Sequence, residues 1–267
     1  MHPDNNKIPI HTAEDFKKMR SAGKLAADTL DYIIPYVKPG VTTEKLDQLC
    51  HDFIINHKAI PAPLNYRGFP KSICTSINHV VCHGIPADKK LKKEDIVNID
   101  VTVILDGWYG DSSRMYYVSE PSIKAKRLVE VTYQAMMLGI AQVKPGNYLG
   151  DIGYAIQNYA ESHGYSVVRD YCGHGIGKIF HGDPNVMHFG NKNEGIKLHE
   201  GMFFTIEPMI NAGRYETKTL NDKWTVVTRD RSLSAQFEHT IGVTKTGYEI
   251  FTLSSKKLFC PPYTNVP

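Results

Sequence analysis

Five side chains in this sequence are of the types that hold hard divalent cations: Asp100, Asp111, His174, Glu207 and Glu238, with His83 and His181 beside them. Four carboxylates and one imidazole make an oxygen-rich donor set. That set is too negative for one divalent ion and is balanced far better by two ions sharing carboxylates. It suits Mn²⁺, Fe²⁺ or Co²⁺, with Zn²⁺ admissible, whereas a structural zinc site favours thiolates and a closed tetrahedron. Two such cations would acidify a shared water and polarise a carbonyl, so hydrolysis is the natural reaction.

The elements that would position these residues begin with a hairpin. IVNIDVTVILDGWYGDSSR (residues 96–114) reads as two β-branched strands joined at Asp106-Gly107, a dipeptide suited to a two-residue type I′ turn. That turn sets Asp111 opposite Thr102, and Thr102 shares a strand face with Asp100. The two aspartates then point the same way as diagonal neighbours, near enough to touch one ion or two adjacent ones. Like charges so placed repel, so a cation between them is expected. Taken alone, the hairpin is explained as well by a solvated face with two unrelated aspartates.

The remaining positions follow from a duplication. Thr12 and Asp15 form a capping signal ahead of an apolar helical run (Phe16, Met19, Leu25, Ala26, Leu30, Ile33, Ile34) that ends near Pro35. VKPG follows at 37–40, and then a second helix with Leu46, Leu49, Cys50, Phe53 and Ile54 on one face. VKPG recurs at 143–146, after an apolar run over 128–140. It precedes Ile152, Ala155, Ile156, Tyr159 and Ala160, which repeat the earlier five at the same spacing. LKKEDIVNID (91–100) and LHEGMFFTIE (198–207) each end a strand on an acid, Asp100 and Glu207. The expectation is an α+β fold in one domain of two helix–helix–strand halves, about 12–120 and 121–253. Residues 1–11 are expected to form a loose arm and 254–267 a tail. A pseudo-twofold axis would lay the two acid-bearing strands side by side and bring Asp100 and Glu207 together. The second half adds His174 and His181 in the Gly-rich DYCGHGIGKIFHGDP (170–184), and Glu238 in the strand-like SAQFEHT (234–240).

Composition narrows the classes. A chain of 267 residues buries about three quarters of its surface on folding and needs no staple. Its 31 basic residues nearly balance 28 acidic ones for a net charge of +3. The densest basic cluster, Lys89 to Lys93, runs straight into Glu94-Asp95, as a solvated loop does, so DNA is not an expected partner. Five scattered cysteines without a CxxC pair fit reduced thiols in the cytoplasm. No apolar run approaches a membrane span, and no signal-peptide pattern opens the chain. Cys172, two residues before His174, is expected to be a buried, inert thiol.

The motifs IDVTVILDGWYGD (Asp100, Asp111), GHGIG (His174), TIEP (Glu207) and QFEHT (Glu238) resemble, in order and over about residues 12–253, the ligand motifs of type I methionine aminopeptidases. The resemblance implies the pita-bread fold, with two pseudo-symmetric halves and a curved antiparallel sheet around a dinuclear centre. It implies that Asp111 and Glu238 bridge both cations, Asp100 chelates one, and His174 and Glu207 hold the other. By the same resemblance His83 (VVCHGIP) contacts the substrate's N-terminal residue and amide, and His181 (KIFHGDP) stabilises the tetrahedral intermediate. Glu207 would also carry the proton from water to the leaving amine. Tyr66, Phe69, Cys74, Phe180 and Trp224 would wall the methionine pocket, a lining suited to a flexible thioether. The implied activity is removal of initiator methionine from nascent chains with a small second residue. A monomer with transient ribosome contact is expected. Two positions depart from the family pattern: His79, where many relatives carry Glu, and Gly182, where an acid is common.

His79 and His83 have the spacing of a zincin pair, but Val80 stands where that motif needs a glutamate, and Ile77, Val80 and Val81 favour a strand. Prolidases and aminopeptidases P are expected to carry an extra N-terminal domain, for which the residues before Thr12 leave no room. A binding protein on the same fold would be expected to have lost ligands, and this chain keeps all five.

Overall fold

Two helix pairs, each followed by antiparallel strands, build the computed structural model, which describes residues 8–263. The first half contains α1 (Ala13–Ile33), α2 (Thr43–Asn56), β1 (Ile60–Pro61), β2 (Cys74–Ile77), β3 (Val80–Cys82), β4 (Ile96–Leu105) and β5 (Trp108–Tyr117). The second contains α3 (Ile123–Ile140), α4 (Leu149–Ser162), β6 (Ser166–Val167), β7 (Gly173–Gly175), β8 (Gly182–Val186), β9 (Phe203–Ile206) and β10 (Met209–Asn211). It continues through β11 (Thr217–Thr219), β12 (Val226–Thr228), β13 (Ser234–Gln236), β14 (His239–Val243) and β15 (Tyr248–Ile250).

Local chemistry fixes the ends of these elements. Thr12 caps α1 in a capping box, its hydroxyl accepting from Asp15 N while the Asp15 carboxylate accepts from Thr12 N at 2.8 Å. Such a cap is worth about 1 kcal/mol. Asp106 and Gly107 take φ of +51° and +79°, the left-handed pair that a type I′ turn requires. β4 and β5 therefore pair in unbroken register from Ile96–Tyr117 to Leu105–Trp108, with Thr102 opposite Asp111. Helix α1 lies directly on this hairpin at Gly110, where a β-carbon would fall 2.3 Å from the Ala22 backbone. Only glycine permits that approach.

Each half has its own core. Leu30, Ile33, Leu46 and Ile54 of α1 and α2 pack on Val97, Ile99 and Val101 of β4. Leu128, Met136, Ile152 and Ile156 of α3 and α4 pack on Phe204, Ile206 and Ile241. The helices thus cover the outer faces of the strands and leave the inner faces to meet.

The seam between halves differs from the expected one. The acid-bearing strands β4 and β9 are not neighbours, because their antiparallel partners β5 and β14 lie between them. The β4–β5 sheet meets the β9–β14 sheet at the bridge Ser113–Glu238, where Glu238 N donates to Ser113 O at 3.0 Å, and β3 pairs with β12 of the other half. The β4–β5 hairpin is ten residues long on each side, and its second strand is the one presented to the other half.

Residues 1–7 of the expected loose arm and 264–267 of the tail lie outside the described residues. Residues 8–11 are packed rather than loose: Ile8 is buried, His11 N donates to Gly201 O, and the His11 ring stacks on Phe203. In the tail, Tyr263 donates to Met115 O at 2.7 Å and packs on Tyr116. His79 falls in the turn between β2 and β3, so strands flank it and the zincin geometry is absent there. No helix among the described residues is long and apolar enough to cross a membrane.

Candidate metal centre

The sheet registers explain how residues so far apart in sequence meet. One row runs Cys74–Asp100–Ser113–Glu238 across β2, β4, β5 and the segment entering β14. Continuing the β14–β9 register by one residue places Glu207 opposite Glu238. The next row on the same face runs Thr102–Asp111–Thr240–Thr205. Asp111 and Thr240 are tied across the seam, the Thr240 hydroxyl donating to Asp111 O at 2.7 Å. Thr205 brings in β7, its hydroxyl accepting from His174 N at 3.0 Å. Side chains alternate faces along a strand and align across it. Donors Asp100, Glu238 and Glu207 therefore fall in one row, and Asp111 and His174 in the next. Ser113, Thr240 and Thr205 separate them. Small hydroxyl residues at those three positions leave the space that cations need.

Asp111, His174 and Glu238 each offer a ligand atom within 4.8 Å of the others, and all three are buried. His174 Nε2 lies 3.7 Å from Asp111 Oδ2 and 3.6 Å from Glu207 Oε1. The Nδ1 of His174 is 3.2 Å from the Gly175 carbonyl, which can only accept, so the ring proton sits on Nδ1. The Nε2 lone pair then faces the carboxylates, the tautomer a metal ligand needs. Hydroxyls orient the acids: Thr102 donates to Asp111 Oδ1 and Thr205 to Glu207 Oε1, both at 2.7 Å. Gln236 donates to Glu207 Oε2 at 3.3 Å.

The electrostatics call for a positive charge. Burial raises the carboxyl pKa of Asp100 to about 7 and of Glu207 to about 8. Burial, reinforced by the neighbouring acids, holds Asp111 and Glu238 well above their usual range. Burial lowers His174 to about 4, so the imidazole is neutral. Arg67 is the one Lys or Arg in the lining, and it is exposed. Cys74 and Cys82 also line the cavity, but burial pushes their thiols up and keeps them protonated. The donor atoms that converge are carboxylate oxygens and the His174 imidazole, which fits divalent cations of intermediate hardness.

A cavity of about 390 Å³ opens over these donors, and every site residue named from sequence lines it. One wall is aromatic: Phe69 and Trp224 meet edge to face at 5.2 Å, and Tyr66 and Phe180 lie 4.9 Å apart. His181 is 4.2 Å ring to ring from His174, and its Nδ1 is 3.0 Å from the Tyr66 hydroxyl. Burial and the neighbouring His174 lower His181 to about 3. His83 reaches the cavity from a left-handed backbone (φ +55°) and packs edge-on to Tyr171 at 5.5 Å. Burial lowers its pKa too. His79 is not in the lining. Cys172 departs from expectation, being half-buried and lining the cavity rather than enclosed in the core. Sequence reasoning passed over Arg67, Tyr171 and Met209 in the wall, and Thr205 and Gln236 behind Glu207. Thr205 and Gln236 stand inside the quoted TIEP and QFEHT segments, but only the sheet order shows that they touch a carboxylate.

Comparison with known proteins now supplies the class. The model of metallopeptidase family M24 matches residues 17–245, and the chain belongs to that family. Among the similar proteins are methionine aminopeptidases. The one from Rickettsia prowazekii (strain Madrid E) is 71% identical over 257 residues, 96% of this chain and 99% of its own. The one from Escherichia coli (strain K12) is 56% identical over 248 residues, 92% of this chain and 94% of its own. The crystal structure of the R. prowazekii enzyme matches with a TM-score of 0.92 over 92% of this chain and 100% of that one. The prolidase of Pyrococcus horikoshii OT3, 21% identical, shares the fold at a TM-score of 0.70, over 91% of this chain but 63% of its own. The pita-bread fold is thus established, and the chain is a metal-dependent peptidase.

Proposed function

We propose that this chain is a methionine aminopeptidase that removes the initiator methionine from nascent polypeptides whose second residue is small. The observation that carries the proposal is the pairing of two alternating donor rows with an aromatic wall in one cavity. Asp100, Asp111, His174, Glu207 and Glu238 would hold two divalent cations (Mn²⁺, Fe²⁺ or Co²⁺, with Zn²⁺ admissible), with Asp111 and Glu238 the acids placed to serve both. When bound, they supply an acidified water and a polarised peptide carbonyl.

The protein's own groups do the rest. Glu207 takes the proton from water and passes it to the departing amine. With the Tyr66 hydroxyl donating to Nδ1 of His181, the proton of this neutral ring sits on Nε2. It can then be donated to the oxygen of the tetrahedral intermediate. His83 holds the N-terminal residue and the amide. Phe69, Cys74, Phe180, Tyr66 and Trp224 enclose the methionine side chain and exclude water from it. The chain works as a cytoplasmic monomer that meets its substrate at the ribosome.

A tripeptide panel with measured cation content tests this reading. Met-Ala-Ser is expected to be cleaved about 10- to 200-fold faster than Leu-Ala-Ser, since a missing pocket contact is worth about 1–3 kcal/mol. Chelation is expected to abolish turnover, with Mn²⁺, Co²⁺ or Fe²⁺ restoring it. Equal turnover of the two peptides, preference for Xaa-Pro, or full activity after chelation would overturn the proposal.

A further inference from the structure

One imidazole near the centre belongs to neither the donor set nor the cavity wall. His188 is fully buried, on the segment that follows β8. Its Nε2 accepts the backbone N–H of Glu207 at 3.0 Å. Glu207 stands one residue past the paired part of β9 and is followed by Pro208. On its other side, the β7–β9 ladder is reduced to the single pair Gly175–Phe204. The N–H of Glu207 is therefore served by a side chain where a strand would normally supply a carbonyl.

The other ring nitrogen shows that packing alone does not explain this residue. Because Nε2 accepts, the ring proton must sit on Nδ1. That atom is buried with no hydrogen-bond partner among the described residues. A leucine would fill a similar volume without stranding a polar atom, which costs about 1–3 kcal/mol. What the imidazole adds is the acceptor, and the acceptor acts on one residue.

We propose that His188 is a positioning residue for Glu207. It fixes the main chain of a ligand whose two carboxylate oxygens are already held by Thr205 and Gln236. Three restraints, one on the backbone and one on each oxygen, set the direction in which the carboxylate points. A partner behind a ligand of this kind changes cation affinity or activity by roughly 10–100-fold. The inference rests on the placing of Glu207 among the cation ligands in the proposed function.

The experiment compares three variants of the full chain, His188→Leu, His188→Asn and His188→Gln. A glutamine carbonyl can reach the position of Nε2, an asparagine carbonyl stops near that of Nδ1, and leucine offers no acceptor. Mn²⁺ alone is titrated calorimetrically into the metal-free proteins, and kcat and KM are measured on Met-Ala-Ser. Leu and Asn are expected to weaken the looser Mn²⁺ step and to lower kcat, each about 10-fold, with KM nearly unchanged. Gln is expected to recover most of both losses. If Leu does not fold, the Asn and Gln pair decides. Parental Mn²⁺ affinity and kcat in the Asn variant, or a Gln variant no better than Asn, would overturn the proposal. A parent protein that bound no Mn²⁺ would overturn the functional reading and this proposal with it. A parent that binds two ions, with variants indistinguishable from it, overturns this proposal alone.

Discussion

The two halves deliver their donors by different means. Asp100 and Asp111 come from one long hairpin whose register is set by a two-residue turn, and each sits where local pairing puts it. Glu207 and Glu238 lie just beyond the ends of β9 and β14, and His174 is the middle residue of the three-residue β7, with a register shift at His174–Gly175. The first half relies on strand pairing, reinforced by Thr102 on Asp111, whereas His174 and Glu207 of the second rely on side-chain hydrogen bonds. Thr205 alone serves both His174 N and Glu207 Oε1. A local hairpin needs few restraints to aim a side chain, whereas strands of three to five residues need many.

The largest test of this contrast concerns the acids that span the seam. In the proposed centre, Asp111→Asn and Glu238→Gln would each remove a shared ligand, from opposite halves, and both are expected to cut kcat by about 10³-fold or more. Bound Mn²⁺, read by elemental analysis, should fall below two per chain in each. If one substitution is harmless, the halves do not share their cations. Next in size is His181→Ala, expected to lower kcat about 10²-fold, as for loss of a transition-state donor, with Mn²⁺ content unchanged. Unchanged turnover would remove His181 from the mechanism.

The contrast itself is sharpened by Thr102→Val against Thr205→Val. Each removes a hydroxyl from behind a carboxylate without changing volume. Thr205→Val should weaken Mn²⁺ binding about 10-fold or more, and Thr102→Val less, because the hairpin still aims Asp111. Equal losses, measured by calorimetry, would mean that the hairpin confers no advantage.

The smallest expected effect is on stability against pH. The four buried acids have folded pKa values raised above their unfolded ones. Their stability contribution is complete below the unfolded carboxyl pKa and is lost as pH rises through about 7 to 8. The buried neutral histidines, His174, His188 and His239, act oppositely, but only below the unfolded pKa of 6.5. Between pH 7 and 8, therefore, the Tm of the metal-free protein should fall by a few degrees, and saturating Mn²⁺ should remove that slope. A slope unchanged by Mn²⁺ would show that the acids are not where the cations sit.

What the sequence made legible follows the same division. The Asp106-Gly107 turn, the Thr12 capping box and the repeated VKPG-helix pattern are local signals, and the structure carries all three. The Asp111–Thr102 pairing could be read because a two-residue turn leaves no freedom of register. The order β4–β5–β14–β9 could not, since the duplication says that the halves face each other but not which strands touch. Thr205, Gln236 and His188 were hidden for the same reason: a hydroxyl, an amide and an imidazole are marked as supports only by the side chain they meet across a sheet. Cys172 was misjudged because a small thiol reads as core wherever glycines surround it. Here the wide backbone of the 170–184 segment leaves it half open to the cavity.

Everything turns on whether acids from both halves grip one pair of ions. Anomalous diffraction from crystals grown with Mn²⁺ reads this directly. Two peaks are expected in the cavity, both contacted by Asp111 and Glu238, one also by Asp100 and the other by His174 and Glu207. No peak there, or Asp100 and Glu238 solvated apart from each other, would contradict the account.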